Sequence, residues 1–196
     1  MRWLMLYARS RQVPASVAAV VLTASAAWAL TGGGGAEPAD PRVPALVLAA
    51  GVAAAAAGLG GQDTALDRTA AIRWAPRRAA HVLAIGAFVG AVLLAMHALG
   101  AELAPAAFVV RDSAGLAGLA ALGAAAFGAA YAWILPVGWL AFTLLAPPPS
   151  GVPGQVSGWL LVPPGTAAAT WTALALTVTG TLLYAAAGPN GPGTGR

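Results

Sequence analysis

The chain has 196 residues, of which 59% are hydrophobic and 8% are charged, and its formal net charge at pH 7 is +4. Soluble domains carry about 25% charged residues, so this chain lacks the polar surface that water requires and is expected to lie largely in lipid. Cysteine is absent, which excludes disulfides, thiolate metal sites and thiol catalysis. The basic residues are all Arg and are not clustered with aromatic residues, so nucleic-acid binding is not expected.

The N-terminal segment, residues 1–12 (MRWLMLYARSRQ), is amphipathic because Arg2 and Arg9 offset apolar side chains such as Trp3. It predicts an interfacial helix along the cytoplasmic surface, before Pro14 turns the chain into the bilayer. A cleaved signal peptide is the alternative, since a small-residue ASAAWA sequence follows. The apolar run before that sequence is longer than the usual core of a signal peptide, which disfavours cleavage.

Long apolar runs follow, separated by polar or glycine- and proline-rich segments. About 20 apolar residues in a helix span a hydrocarbon core of about 30 Å. On that length, four runs are predicted to span the membrane: residues 13–30, 43–59, 79–99 and 166–187.

The remaining apolar block, residues 113–146, is difficult to assign. As one helix it would be roughly 50 Å long, which is too long for one untilted pass and barely enough for two. Tyr131, Trp133 and Pro136 lie at its middle, where aromatic residues beside a proline are typical of a turn at a membrane surface. We expect two short helices here, and a single proline-kinked helix is the alternative.

The predicted fold is therefore an all-α polytopic membrane protein with about six transmembrane helices. Residues 1–188 form a single transmembrane domain, and the Gly- and Pro-rich tail, residues 189–196, is expected to be disordered. Because cytoplasmic loops are enriched in Arg, the N-terminus is placed in the cytoplasm of a cell-membrane protein. That orientation puts eight of the ten Arg residues inside: Arg2, Arg9, Arg11, Arg68, Arg73, Arg77, Arg78 and Arg196. Arg42 and Arg111 are then outside.

Motifs for catalysis are absent from the sequence. It contains no Lys and hence no P-loop, no G-x-S-x-G elbow and no H-E-x-x-H. His81 and His97 lie near opposite ends of one span, so a shared metal is not expected. The chain is predicted not to be an enzyme and to have no catalytic, cofactor-binding or metal-binding residues.

Four polar residues could meet at the outer side: His97, Glu102, Arg111 and Asp112. We expect structural roles for them, with Asp112 or Ser113 capping the following helix and Arg111 snorkelling to the interface. No acidic residue or His is expected deep within a span, so ion coupling is not expected and any uphill transport needs an external energy source.

The segment 61–78, GQDTALDRTAAIRWAPRR, is unusually charged for this chain. It predicts a short cytoplasmic helix that Pro76 ends, with Leu66, Ala70 and Trp74 on one face. Such a helix can dock in a cleft of a partner protein. It can equally lie in the membrane interface, with Trp74 among headgroups and the Arg residues paired with anionic lipids.

Small residues recur at helical spacing in two spans. Gly86 and Gly90 form a G-x-x-x-G pattern, and Gly115, Gly118 and Gly123 line the next apolar block. Small residues let helices approach closely in lipid. Packing within the chain is expected, and a dimer seam is the alternative.

The order of these parts resembles the membrane subunits of ABC-2-type exporters. An interfacial N-terminal helix, a charged helix between the second and third spans, and an outer segment (SGVPGQVSGWLLVPPG) before the last span carry the resemblance. The stretches LDRTAA…RRAAH, VVRDSAGLAGLAALGA and AYAWILPVGW are similar to small actinobacterial membrane components of ABC transporters.

This resemblance implies a permease subunit that forms a homodimer, or a heterodimer with a second permease, and binds a separate ABC-type ATPase. It implies no cofactor of the chain's own, and membrane lipids as further partners. The partner-docking residues would be Leu66, Asp67, Arg68, Arg73 and Trp74. The alternative function is a substrate-binding or assembly subunit, or a scaffold, in the membrane without an ATPase.

Overall fold

The computed structural model describes residues 13–30, 40–60, 74–100, 103–147 and 150–189. Within these ranges the chain is all-α, as predicted, and contains no strand. The described helices are α1 (Val13–Leu30), α2 (Arg42–Ala56), α3 (Trp74–Ala98), α4 (Ala106–Phe127), α5 (Ile134–Leu145), α6 (Gly151–Ser157) and α7 (Ala167–Ala187). Two short 3₁₀ helices, Ala57–Leu59 and Ala129–Tyr131, continue α2 and precede α5.

Four helices are long and apolar enough to cross a membrane: Arg42–Leu59, Trp74–Ala98, Ala106–Phe127 and Ala167–Ala187. A helix satisfies its own backbone hydrogen bonds, which is the requirement for crossing lipid. These four helices fit the prediction of a membrane protein, whereas the count of about six spans goes beyond them. The predicted interfacial helix at 1–12 lies outside the described residues, as does the predicted tail except for Pro189.

The difficult block 113–146 breaks into two helices, and this prediction is confirmed. Helix α4 ends at Phe127, and Gly128 follows with φ of 96°, a left-handed conformation that favours glycine. The break precedes Pro136, which lies in the first turn of α5, where a helix tolerates a missing N–H. Helix α5 has 12 residues, or about 18 Å, and by itself is shorter than a hydrocarbon core of about 30 Å.

Helix α4 is the centre of the bundle. Within its most apolar window 72% of residues are buried, against 33% for α3 and 28% for α7. It packs against α2, α3, α5 and α7. Because α4 packs against these four helices, most of its side chains are removed from the lipid, although Val110 and Phe127 stay exposed.

Glycines make these contacts close. A β-carbon on Gly86 would lie 3.2 Å from the Ala117 β-carbon of α4, and one on Gly90 would lie 2.9 Å from Ser113 Oγ. Between α4 and α7, Gly118 faces the backbone of Leu176 and Thr177, and Gly180 faces the backbone of Gly118, with no room for a side chain on either glycine. The small residues therefore pack within the chain, as predicted, and the close approach supplies van der Waals contact that lipid cannot drive by hydrophobicity.

The bundle has two ends, which we name after their arginines. At the Arg78 end, α2 and α7 are joined because the Tyr184 hydroxyl donates a hydrogen bond of 2.5 Å to the Leu59 carbonyl. Gly60 also lies close to Ala129, just after α4 ends. At the opposite Arg111 end lie the N-termini of α4 and α7 and helix α6.

Candidate functional site

Only the last residues of the predicted docking segment 61–78, residues 74–78, belong to the described part of the chain. Leu66, Asp67, Arg68 and Arg73 lie outside the described residues. Trp74 is the first described residue of α3, and the helix continues through Pro76, so Pro76 does not end a helix and that boundary was predicted wrongly. The physical reason is that proline in the first turn of a helix starts that helix as readily as it stops the preceding one.

The first turn of α3 carries basic side chains at the Arg78 end. The Arg77 guanidinium lies 5.7 Å from the centroid of the Trp74 ring, within the range of a cation–π contact. The Arg78 guanidinium packs beside Gly188, immediately after α7, where a β-carbon would come within 2.8 Å of it. A cation is favourable at the C-terminus of α7, so Arg78 fastens the start of α3 to the end of α7.

The Arg111 end contains a buried ion pair, whereas the sequence predicted a helix cap and a snorkelling arginine at these positions. Helix α4 starts at Ala106, so Arg111 and Asp112 lie in its second turn. Arg111 Nε donates a hydrogen bond of 2.7 Å to Asp112 Oδ1, with 6% and 0% of the two side chains exposed. Asp112 is thus a buried acidic residue near the start of a candidate span, whereas it was predicted to precede the helix.

The roles predicted for these residues are also corrected. Pro105 precedes α4 and makes no capping bond, and the Ser113 hydroxyl donates to the Val110 carbonyl at 3.2 Å, so neither Asp112 nor Ser113 caps the helix. Arg111 does not snorkel outward. Its side chain stays in the protein because carbonyl acceptors from another part of the chain reach it there.

Those acceptors come from the segment before α7. Arg111 Nη1 donates to the Pro163 carbonyl at 3.2 Å, and Nη2 donates to the Val162 carbonyl at 3.0 Å. The guanidinium carbon lies 5.2 Å from the centroid of the Phe108 ring. Arginine presents a rigid fork of donors, so one side chain here joins α4, its neighbouring acid and a distant loop. Asp112 Oδ2 has no hydrogen-bond partner among the described residues.

We call residues 150–165 the inserted segment, because part of it folds into the bundle. Trp159 and Leu160 are fully buried. The Trp159 ring occupies the space of a missing side chain, since a β-carbon on Gly115 would lie 2.5 Å from it. The Trp139 indole Nε1 donates a hydrogen bond of 3.0 Å to the Ser157 carbonyl. The sequence predicted an outer segment here, and the apolar WLLV within it was the signal for insertion.

A cavity of about 900 Å³ lies at the Arg111 end. Its walls come from the start of α2, the C-terminal part of α5, and the inserted segment. The cavity thus lies beside the segment that Arg111 and Trp139 hold in place.

The four polar residues expected at the outer side do not form one site. His97 is exposed at the C-terminal end of α3, whereas Arg111 and Asp112 are buried, and Glu102 lies outside the described residues. In the described part of the chain, no group of three or more His, Asp or Glu side chains is arranged to hold a metal ion. Arg111 and Asp112 together form a structural clamp.

Comparison of the chain with protein-family models, with curated proteins and with solved structures finds no match. The class of the protein is therefore defined by its four candidate membrane-spanning helices. Its function must be inferred from the two ends of the bundle.

Proposed function

We propose that the chain is the membrane-spanning permease subunit of an ABC-type exporter and that segment 61–78 docks a separate ATPase. The observation that carries this proposal is the position of Arg77 and Arg78. They lie in the first turn of α3, directly after residues 61–73, and Arg78 reaches the end of α7. Motion imposed on the segment by a partner would therefore reach two long helices.

The charge of the Arg78 end supports a cytoplasmic location for it. Positively charged residues are enriched in cytoplasmic loops, and segment 61–78 contains four of the ten Arg residues: Arg68, Arg73, Arg77 and Arg78. The Arg111 end then faces outward. Its Arg111 is neutralised within the protein by Asp112, so this arginine does not oppose the assignment.

We further propose six passes with both termini in the cytoplasm. Helix α1 has 18 residues and no charged residue. The apolar stretch Ala129–Leu145 begins near Gly60 at the Arg78 end and reaches the cavity beside Asp40 at the other end. With its 3₁₀ turn this stretch is about 25 Å long, close to a hydrocarbon thickness of about 30 Å.

The environment of the buried Asp112 supports transport that is driven by an external energy source and not by ion coupling. Carriers coupled to protons or sodium use acidic residues in the membrane that can exchange an ion. Asp112 is instead held against Arg111, which also binds the Val162 and Pro163 carbonyls, and ion exchange at this carboxylate would disturb that clamp. A separate ATPase supplies the alternative driving force, and the resemblance adds a second permease subunit as partner.

A second candidate function is a substrate-binding or assembly subunit without an ATPase. The cavity of about 900 Å³ at the outward end favours it, because pockets of roughly 300–1,000 Å³ hold small ligands. This function requires no partner at segment 61–78, and the lipid-anchoring interpretation of that segment then applies.

Affinity purification from the native host in mild detergent distinguishes the two functions. The variant with Asp67→Ala, Arg68→Ala and Arg73→Ala is compared with the intact protein. The matched control is Asp40→Ala with Arg42→Ala, which removes charges at the opposite end. We expect an ATPase subunit to accompany the intact protein and the control, and to be lost from the triple variant. An intact, monodisperse protein that brings down no ATPase contradicts the permease proposal.

A further inference from the structure

The walls of the 900 Å³ cavity are mostly apolar. Phe142 and Leu144 come from α5, Leu161 comes from the inserted segment, and Pro41, Pro147 and Pro153 add rigid apolar surface. Such walls disfavour a strongly hydrated ligand, because they offer few hydrogen-bond partners to the water around it. They favour a ligand with a hydrocarbon body.

Two of the three hydroxyl groups that line the cavity are engaged as donors within the chain. Thr143 Oγ1 donates to the Trp139 carbonyl at 2.8 Å, and Ser157 Oγ donates to the Gly154 carbonyl at 3.2 Å. These bonds are local to their own helices, so neither hydroxyl hydrogen is available to a ligand. The charged groups among the lining residues, Asp40 and Arg42, lie at the start of α2 and can provide stronger polar recognition than the remaining hydroxyl, that of Ser150.

Those charged groups are Asp40 and Arg42, and their situations differ. Asp40 Oδ1 accepts a hydrogen bond of 3.0 Å from the Arg42 backbone N–H, so this carboxylate is committed to starting α2. The Arg42 guanidinium has no hydrogen bond or ion pair among the described residues. It lines the cavity and is the available cation there.

We propose that this cavity binds a single-chain amphiphile with an acidic headgroup, whose hydrocarbon chain lies against the apolar walls and whose headgroup pairs with Arg42. Arginine suits this role because its planar fork of donors matches a carboxylate or a phosphate. The cavity lies at the end of a membrane-embedded bundle, where such a molecule can arrive from the surrounding lipid. Binding requires no ATPase, so this proposal goes beyond the proposed function.

The inserted segment explains why the cavity has a defined shape. Its residues Pro153, Ser157 and Leu161 line one wall. The Trp139–Ser157 hydrogen bond fixes that wall from the α5 side, and the clamp at Arg111 fixes the chain just after it. The cavity is thus built between anchored elements.

Quenching of Trp fluorescence by brominated amphiphiles tests this proposal on the full-length protein in neutral detergent. The probes are a brominated fatty acid, a brominated lysophosphatidylglycerol and a brominated lysophosphatidylcholine, the last being zwitterionic. Trp139 is the reporter, because its indole contacts Ser157 in the cavity wall. We expect saturable quenching by both acidic probes.

Two variants test where the headgroup and the hydrocarbon chain of the amphiphile bind. Arg42→Gln is expected to weaken binding of the acidic probes roughly 3- to 5-fold, the size of an ion pair at an exposed site. It should leave the zwitterionic probe within about 2-fold, since that headgroup carries its own cation. Ala146→Phe, which places a ring in the cavity, should abolish saturable quenching by all three probes. The controls are Arg77→Gln and Ala95→Phe, both outside the cavity, and they should bind as the intact protein does.

Three outcomes bear against the proposed site or separate it from the permease proposal. Quenching that is non-saturable, or unchanged in both Arg42→Gln and Ala146→Phe, overturns the site. An equal loss for acidic and zwitterionic probes in Arg42→Gln overturns the headgroup assignment. Failure of these tests with an ATPase still recovered by affinity purification leaves the permease proposal standing, so the two proposals fail separately.

Discussion

The two ends of the bundle use the same side chain in opposite ways. At the Arg78 end, Arg77 is exposed and lies over Trp74, and the Arg78 guanidinium packs beside Gly188 at the end of α7. At the other end, Arg111 is buried and divides its donors between Asp112 and two backbone carbonyls. The comparison shows that local sequence does not determine whether an arginine side chain in this protein is buried or exposed. Burial depends on the hydrogen-bond acceptors that the fold places around the guanidinium.

The largest expected effect is at the buried arginine. Arg111→Ala removes the partner of a fully buried carboxylate and releases the inserted segment, so we expect a loss of about 3–5 kcal/mol of unfolding free energy. The matched variant at the exposed end, Arg77→Ala, should change it by less than about 0.5 kcal/mol. Unfolding in mixed micelles with increasing SDS measures both. Equal effects at the two ends would remove the contrast between them.

The next effect tests the contact between Trp159 and α4. Gly115→Ala places a β-carbon 2.5 Å from the Trp159 ring, and overpacking of this kind costs about 1–3 kcal/mol. Gly138→Ala is the control, because a β-carbon there has no heavy atom within 4 Å. The same SDS titration reports stability, and acrylamide quenching of Trp fluorescence reports exposure. A fully stable Gly115→Ala protein would show that the indole does not occupy this space.

A smaller effect is expected where α2 and α7 meet at the Arg78 end. Tyr184→Phe removes the hydroxyl that donates to the Leu59 carbonyl and leaves the ring in place. The expected loss is about 0.5–1.5 kcal/mol, since the buried carbonyl is left without this partner. Tyr131→Phe is the control, because Tyr131 is 53% exposed. An equal loss of stability in Tyr131→Phe would show that the effect does not come from the hydrogen bond between Tyr184 and Leu59.

The smallest effect concerns the half-buried end of the inserted segment. Trp139→Phe keeps an aromatic ring in α5 but removes the indole donor to the Ser157 carbonyl, at a cost of about 0.5–1 kcal/mol. Limited proteolysis within residues 150–165 should become faster than in the intact protein. Leu145→Ala, which changes an 87% exposed side chain at the end of the same helix, should leave the rate unchanged. An unchanged rate in Trp139→Phe would mean that the hydrogen bond does not restrain the segment.

The bundle itself could be predicted from the sequence because length and hydropathy govern membrane helices. The spans at 43–59, 79–99 and 166–187, and the break within 113–146, correspond to described helices and to the turn at Gly128. The intrachain role of Gly86 and Gly90 also followed from local spacing. Each of these features depends on residues that are near one another in the chain.

The clamp could not be predicted in that way. Arg111 binds carbonyls that lie 51 and 52 residues further along the chain, and no spacing rule connects them. An Arg–Asp pair near the start of a helix is also compatible with a cap and a snorkelling side chain, which was the prediction. The passage of α3 through Pro76 was missed for a different reason, since a proline is consistent with both a helix start and a helix stop.

The orientation of the two ends is the claim on which both the docking segment and the outer cavity depend. The chain contains no Cys, so single cysteines can be labelled in intact cells without background. We would label Thr69→Cys and Ser150→Cys with a membrane-impermeant maleimide, before and after lysis. Labelling of Ser150→Cys in intact cells, with Thr69→Cys labelled only after lysis, is the expected result. The reverse pattern would place segment 61–78 outside the cell and contradict its docking to a cytoplasmic ATPase.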